Sequence, residues 1–256
     1  MNIVLIGTGN VAVVLSRLLV SAGHSIVEVI GRDTSRHQIF KFTCGEFKTN
    51  YSTISTHADL CLIAVSDSAI ADVANQLPAT QTLVVHTSGA TSKDILNRFE
   101  NYGVLYPLQS LRKEMKEIPA IPFFVDANTD ENNNKLFNLA QSTGNTVSIA
   151  NDKERLLYHL SAVLSSNFTN HLYSLTEAFC KKENLHFKNL LPLIEETVQR
   201  LQFFSPLQMQ TGPAIRNDAI TIQRHIDLLQ SQKKLQNIYE MMTDSIQNFG
   251  KDSDFE

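Results

Sequence analysis

The chain opens with the stretch NIVLIGTGNVA (residues 2–12), in which an apolar run passes directly into a glycine-rich turn. The spacing G-x-G-x-x-A is a form of the fingerprint that binds the diphosphate of a dinucleotide between a strand and a helix. Gly7 permits the tight turn, Gly9 has no Cβ to block a diphosphate, and Ala12 lets the helix pack on the strand. The N–H groups at the helix start then face the anion. The alternative is an ordinary strand–helix turn that binds no ligand.

The residues after the second predicted strand indicate which dinucleotide is bound. An acidic residue about 20 residues past the glycines usually holds the ribose 2′-hydroxyl of NAD. Arg32 lies at that position, with hydroxyl groups and Arg36 close behind. A guanidinium suits a phosphate dianion, and Thr34 or Ser35 can donate to its oxygens, so the pattern favours NADP. In the competing interpretation Asp33 is the ribose ligand, the cofactor is NAD, and both arginines are surface charges.

Small or polar residues also follow two later predicted strands, at the edge where ligands bind in an open α/β sheet. Ser66 and Ser88 are predicted to flank the ribose and nicotinamide, and helix capping explains each serine equally well. His86 fits either a general acid or a structural hydrogen-bonding residue, and we interpret it as structural. The predicted cofactor contacts are Gly7, Thr8, Gly9, Asn10, Val11, Arg32, Ser35, Arg36, Val65, Ser66 and Ser88.

The composition is that of an ordinary globular protein, with 256 residues, a net charge of −4 and 43% hydrophobic residues. The basic residues are scattered, which argues against nucleic acid as a partner. The three cysteines lie far apart without a C-x-x-C pair, so no metal site is expected. No apolar run reaches the length of a membrane span, and the first residues lack a basic segment of the signal-peptide kind. We therefore expect a cytoplasmic protein without membrane contact.

Predicted strands and helices alternate through the first half of the chain, which indicates an α/β domain with a parallel, doubly wound sheet over residues 1–150. From there the pattern is helical, and an all-α domain is predicted over residues 151–256. Its first helix covers residues 152–182 and is apolar around much of its circumference. A small domain cannot cover such a helix alone, so this domain is predicted to form a homodimer. A helix at the centre of a monomeric bundle is the alternative.

Polar residues on this long helix are candidates for chemistry. His159, Ser166 and Asn170 share one face, and Asn167 lies about 80° from His159 by the helical period. Polar groups on an otherwise apolar helix must be paired or functional, and hydrogen bonding between subunits is the simpler alternative. We predict that His159 donates or accepts a proton, and that Ser166 and Asn167 hold a small-molecule substrate between the two domains.

A second polar segment, TGPAIRND (residues 211–218), begins with a sharp Gly-Pro break. Arg216 and Asp218 can form an ion pair across the turn, and Asp218 can cap the helix that carries Thr221 and His225. A structural turn accounts for these residues, and so does a position lining a cleft. Arg216, Asp218 and His225 are therefore predicted as further substrate contacts.

Taken together, these segments resemble a bacterial family that joins a Rossmann-like half to a helical domain of unknown function. The layout is more distantly similar to pyrroline-5-carboxylate reductase, to deazaflavin-dependent NADP reductases and to the 6-phosphogluconate and β-hydroxyacid dehydrogenases. Those relatives oxidise or reduce small carbon–oxygen or carbon–nitrogen centres and often dimerise through the helical domain. The matching segments are residues 6–12, 64–67, 86–89, 106–109, 159–162, 166–168 and 211–218.

The resemblance implies an NADP-dependent oxidoreductase that acts on a small polar metabolite, but one motif of the relatives is missing. Hydroxyacid dehydrogenases place a lysine one helical turn before an asparagine, whereas Val163 precedes Asn167 by four residues here. The lysine-based mechanism therefore does not transfer to this chain. A dinucleotide-binding sensor or interaction protein without catalysis is the alternative of a different class, because a fold does not determine a function.

Overall fold

The computed structural model describes residues 1–41, 44–55 and 57–249, and the side chain of Cys44 lies outside this description. Its strands are β1 (Asn2–Ile6), β2 (Ser25–Ile30), β3 (Cys44–Lys48), β4 (Leu60–Ile63), β5 (Leu83–His86), β6 (Tyr102–Pro107), β7 (Phe123–Ala127) and β8 (Val147–Ile149). They form one sheet in the order β3-β2-β1-β4-β5-β6-β7-β8. Strands β1 to β6 run parallel, β7 is antiparallel to β6, and β8 is parallel to β7.

This sheet confirms the predicted α/β fold and corrects it in two details. The apolar strands β1, β4 and β5 are buried, as expected for a parallel sheet with both faces covered. Strand β7 turns back because the chain between β6 and β7 forms no helix, and a parallel connection usually needs one. The sequence CGEFK of β3 lacks an apolar run, so the pattern does not predict this edge strand.

Helices cover the sheet, and they are the main secondary structure of the described residues after it. The helix predicted over residues 152–182 contains a π-helical turn at Val163–Phe168, which joins α5 to α6. No helix in the described ranges is long and apolar enough to cross a membrane. The helices are α1 (Asn10–Ser21), α2 (His37–Phe40), α3 (Ile70–Gln76), α4 (Asp130–Ser142), α5 (Asp152–Ala162), α6 (Thr169–Lys182), α7 (Leu191–Arg200), α8 (Ala219–Leu229) and α9 (Lys233–Asn248).

A group of charged residues around the buried Arg155 side chain fixes the start of α5 to the sheet. The side chain of Arg155 is fully buried, and its guanidinium donates to the carboxylates of Asp126 and Asp152 at 3.2 and 2.5 Å. Lys93 donates to the other carboxylate oxygen of Asp126 at 2.8 Å. We call these four residues the Arg155 cluster. Because His159 lies one helical turn after Arg155, the cluster also fixes the position of His159.

The chain divides into two compact units, and the second begins at Thr169. The first unit, Met1–Phe168, contains the whole sheet, helices α1 to α5 and the π-helical turn. The second unit contains helices α6 to α9, of which α8 and α9 pack against each other.

Candidate functional site

The glycine-rich turn lines a cleft of about 610 Å³ in the first unit, which we call the glycine cleft. It lies beyond the carboxyl ends of β1, β2 and β4, where an open α/β sheet binds ligands. Tyr51 also lines it and was not predicted, whereas Ser35 does not line it. The predicted cofactor contacts that line it are Gly7, Thr8, Gly9, Asn10, Val11, Arg32, Arg36, Val65 and Ser66.

The two glycines of the turn have different tasks. Gly7 has a φ of +118°, and a Cβ there would lie 2.2 Å from the carbonyl oxygen of Ala64. A Cβ on Gly9 would meet no protein atom within 4 Å, because it would enter the open cleft. Gly9 also precedes α1 without a side-chain cap, and the first turn of α1 carries no acidic residue. The free helix start and the open space above Gly9 therefore fit a diphosphate.

The residues after β2 form a small polar network at the rim of the glycine cleft. Arg36 donates to the carbonyl oxygen of Thr8 at 2.9 Å and lies 3.4 Å from the carboxylate of Asp33. Ser35 donates to Asp33 through its hydroxyl and its backbone N–H, and these bonds lower the pKa of Asp33. The exposed Arg32 side chain lines the cleft. The Ser35 hydroxyl is thus used locally, and Arg32 is available to a ligand.

The two serines predicted beside the ribose and nicotinamide differ in their bonding. Ser66 lines the glycine cleft, and its side chain caps no helix in the described structure. The Ser88 hydroxyl accepts from the N–H groups of Ala90 and Thr91 and donates to the Thr91 hydroxyl at 2.9 Å. Ser88 therefore stabilises the turn after β5, and it also lines a second cleft described below.

His86 is fully buried at the end of β5 and bonds only to backbone groups in the described structure. Its Nδ1 accepts from the N–H of Ser88 at 3.2 Å, so Nε2 carries the hydrogen and donates to the carbonyl of Ser92 at 3.2 Å. Burial lowers the pKa of His86 to about 4. A neutral histidine with both nitrogens bonded favours the structural interpretation over a general acid.

We expect His86 to lower the free energy of unfolding by about 3 kcal/mol as the pH falls from 7 to 4. Its pKa is about 4 in the folded chain and near 6.5 in the unfolded chain, so acid protonates the unfolded chain first. This stability is complete above pH 6.5 and is lost as the pH approaches 4. Urea denaturation of wild type and His86→Asn across this range measures the difference, with the exposed His57→Asn as control. An identical pH dependence in wild type and His86→Asn contradicts the prediction.

A second cleft of about 520 Å³ adjoins the glycine-rich turn, because Val11 lines both clefts. We call it the polar cleft. It lies beyond the ends of β5 and β6 and against α5 and the π-helical turn. Asp67 contributes the single carboxylate among its described lining residues. All three residues predicted to be catalytic, His159, Ser166 and Asn167, line this cleft.

Tyr106 at the end of β6 lines the polar cleft and was not predicted as a site residue. Its hydroxyl lies 3.1 Å from Nδ1 of His159. Its ring packs so closely on Gly89 that a Cβ there would lie 2.5 Å from the ring. Burial raises the pKa of Tyr106, so its hydroxyl stays protonated at neutral pH. The YPLQ segment at a predicted strand end is the only sequence signal for this residue.

The π-helical turn carries Ser166 and Asn167. More residues complete a π-turn than an α-turn, so each residue rotates less about the helix axis. This reduces the angle that a regular α-helix would place between His159 and Asn167. Both residues line the polar cleft as a result, in keeping with the tendency of π-turns to occur at functional sites.

The other predicted substrate contacts belong to the second unit. Asp218 caps α8, because its carboxylate accepts from the N–H and the hydroxyl of Thr221 at 3.1 and 2.8 Å. The ion pair that the sequence allows between Arg216 and Asp218 does not form in the described part of the chain. His225 lines an apolar cavity of about 580 Å³, and its Nδ1 lies 2.9 Å from the hydroxyl of Tyr239. Substrate contacts by these residues stay predictions.

Comparisons with known proteins find a matching family model for each half of the chain. Residues 1–109 match a Rossmann-like domain, and residues 121–246 match DUF2520, a domain of unknown function. A crystal structure from Bacteroides fragilis, provisionally described as an NADP oxidoreductase, has 34% identity and a TM-score of 0.89, covering 96% of this chain and 98% of that one. No curated protein matches the chain.

Two less similar structures share the fold over nearly the full length. A Thermotoga maritima protein has 19% identity and a TM-score of 0.72, with 97% of this chain and 98% of that one covered. The NADP-bound pyrroline carboxylate reductase of Plasmodium falciparum has 13% identity and a TM-score of 0.63, with 98% of each chain covered. The chain belongs to the family of proteins that join a Rossmann-like domain to a DUF2520 domain.

Proposed function

We propose that this protein is an NADP-dependent oxidoreductase that transfers a hydride to or from a small polar metabolite. The position of Val11 carries the proposal, because this residue lines both the glycine cleft and the polar cleft. A dinucleotide with its diphosphate on the glycine-rich turn therefore has a cavity of proton donors and acceptors beside it. The description of the Bacteroides fragilis relative as an NADP oxidoreductase supports the same class.

Each cleft has a separate task in this proposal. The helix start after Gly9 holds the diphosphate, and Arg32 binds the 2′-phosphate of the cofactor. The bound cofactor supplies or accepts the hydride. His159 gives a proton to the substrate heteroatom or takes one from it, and Ser166 and Asn167 hold that heteroatom by hydrogen bonds.

Replacement of His159 by alanine is expected to reduce kcat about 100-fold, because a positioned acid–base group contributes on that order. A panel of small carbonyl and imine compounds first identifies a substrate that oxidises NADPH, and the loss of reduced-nicotinamide absorbance then gives the rate. His57→Ala, which changes an exposed histidine of the same unit, serves as control. Turnover by His159→Ala at the wild-type rate removes the acid–base role.

Arg32→Ala is expected to remove most of a preference for NADPH over NADH. A charge-assisted contact to the 2′-phosphate contributes roughly 1.5–3 kcal/mol, which corresponds to roughly 10- to 100-fold in affinity. Nucleotide fluorescence titration gives both dissociation constants without a substrate. Arg112→Ala changes an exposed arginine that does not line the glycine cleft and is the matched control. Equal wild-type affinities for the two nucleotides, together with weaker NADH binding by Asp33→Asn, support the NAD alternative.

A non-catalytic dinucleotide sensor is the second candidate, and the lining of the polar cleft favours it. No lysine is among the described residues that line this cleft, so the catalytic group that the hydroxyacid dehydrogenases carry on their long helix is missing. Tight NADPH binding without cofactor oxidation across a broad panel of compounds supports the sensor. Oxidation by any compound that depends on His159 supports the enzyme.

We also propose that the chain forms a homodimer through the helices after residue 151. In the single chain, Leu193, Ile220 and Phe203 expose 66%, 70% and 75% of their surfaces. Water-facing apolar groups on this scale are characteristic of an interface. Further exposed apolar side chains in this region are Leu156, Leu157, Leu160, Leu164, Phe168, Leu191, Val198, Leu201, Phe204, Leu207, Leu228 and Met241.

A further inference from the structure

We infer that Tyr106 is a positioning residue that binds Nδ1 of His159, so that Nε2 is the nitrogen available to the substrate. The inference rests on the proposed proton transfer by His159 and adds which ring nitrogen carries it out. The Tyr106 hydroxyl and Nδ1 lie 3.1 Å apart, and both residues line the polar cleft. Tyr106 acts through His159 and needs no contact with the substrate.

Packing contacts with neighbouring side chains and backbone hold both partners of this hydrogen bond in place. The Tyr106 ring lies against Gly89 on one side and is stacked with Phe124 at a centroid distance of 6.4 Å. The same Phe124 ring stacks with Tyr158, the neighbour of His159, at 4.3 Å. Together with the Arg155 cluster one turn earlier, these contacts fix the two side chains in one arrangement.

The bonding of the hydroxyl determines where the imidazole carries its hydrogen. In the described structure the Tyr106 hydroxyl has one hydrogen-bond partner, Nδ1 of His159. Tyr106 is mostly buried as a residue, and donation from its hydroxyl to Nδ1 satisfies both atoms within the protein, so the hydroxyl donates to Nδ1 in the neutral state. The neutral imidazole then carries its hydrogen on Nε2. The carboxylate of Asp67 is the single acidic side chain among the described lining residues of this cleft, and its negative charge acts on Tyr106.

The hydroxyl also suits the charged state of His159, because a phenol both donates and accepts. In the imidazolium, Nδ1–H donates to the Tyr106 oxygen and Nε2–H faces the substrate. As the hydride reaches the substrate carbon, the electron pair of the carbon–heteroatom double bond takes the Nε2 proton. His159 is left neutral with its hydrogen on Nδ1, still bonded to Tyr106. The reverse reaction starts from this Nδ1–H tautomer, the minor neutral form when Tyr106 donates to Nδ1, and uses the same atoms in the opposite order.

Nitrogen-15 NMR of histidine-labelled protein tests this without cofactor or substrate, because the ring nitrogen shifts report the tautomer. The His159 signals are identified by their loss in His159→Gln. We expect neutral His159 with hydrogen on Nε2 in the wild type, and a mixture of tautomers in Tyr106→Phe, which keeps the stacked ring. Tyr102→Phe makes the same change on the same strand, where the hydroxyl bonds Asp94 instead, and leaves the His159 signals unchanged.

The outcomes separate this inference from the proposed function. Neutral wild-type His159 with its hydrogen on Nδ1 overturns the inference, and so does a Tyr106→Phe spectrum identical to that of the wild type. The nitrogen-15 spectrum of the wild type tests the assigned tautomer of His159 even if Tyr106→Phe does not fold. With a substrate in hand, Tyr106→Phe should lower kcat about tenfold, as expected for one lost hydrogen bond, with NADPH affinity unchanged. Failure of NADPH to bind the wild type contradicts the proposed function and leaves the NMR result standing.

Discussion

Arg155→Ala is expected to lower the free energy of unfolding by about 3–5 kcal/mol, the usual cost of removing one partner from a buried ion pair. The fully buried guanidinium joins Asp126 of β7 to Asp152 of α5. Its removal leaves a buried carboxylate with Lys93 as its remaining cationic partner, and it leaves a cavity as well. Urea denaturation followed by circular dichroism measures the change.

The matched control is Arg200→Ala, which removes an arginine from an exposed pair with Glu196. Surface ion pairs contribute about 0–1 kcal/mol, so this variant should unfold close to the wild-type midpoint. A similar loss of unfolding free energy in the two variants would show that burial does not determine how much the Arg155 cluster stabilises the fold. A folded Arg155→Ala should also show a weakened Tyr106–His159 contact, because α5 loses its anchor to the sheet.

At micromolar concentration, sedimentation of the wild-type protein is expected to give a molecular mass twice the 28.7 kDa of the single chain. The double variant Leu193→Glu, Phe203→Glu should weaken association more than about 100-fold, because each lost apolar contact costs about 1.5–3 kcal/mol. An obligate interface typically buries about 2,000 Å² or more. Sedimentation over a concentration series measures the dissociation constant.

Asn134→Glu adds one negative charge, half of that in the double variant, at an exposed position on α4 of the first unit and is the control for charge. It should leave the dimer intact. A wild-type chain that sediments as a stable monomer ends the dimer proposal. In that case the exposed apolar side chains after residue 151 need another partner.

Local signals in the sequence predicted much of the fold. Apolar runs, caps and helical spacing lie within single segments, and they predict a strand over residues 25–30 and helices over residues 219–229 and 233–248. These are the bounds of β2, α8 and α9. The sheet is predicted to be parallel throughout, whereas β7 runs antiparallel to β6, because its direction depends on pairing across a connection that no local pattern encodes. Edge strand β3 was missed for the related reason that its pairing with β2, rather than its own composition, makes it a strand.

The candidate site likewise has one part that a local motif predicts and another part that depends on contacts between residues distant in the sequence. The glycine-rich turn is a local motif, and the glycine cleft forms around it. Tyr106 lies 53 positions before His159 in the sequence, and only the packing of β6 against α5 brings the two together. Ser35 and Ser88 show the limit of residue type as a guide, because both hydroxyls are used in local turns.

The π-helical turn at Val163–Phe168 affects how this chain is aligned with its relatives. A π-turn closes its hydrogen bond over one more residue than an α-turn, so it holds one extra residue within an unbroken helix. A relative with a regular α-helix here would need a one-residue gap inside the helix, where alignments rarely open one. Position-by-position transfer of an asparagine or a lysine through this segment would then be wrong by one residue. Superposition of the polar clefts is therefore the sounder basis for comparing Asn167 with the residues of structurally similar proteins.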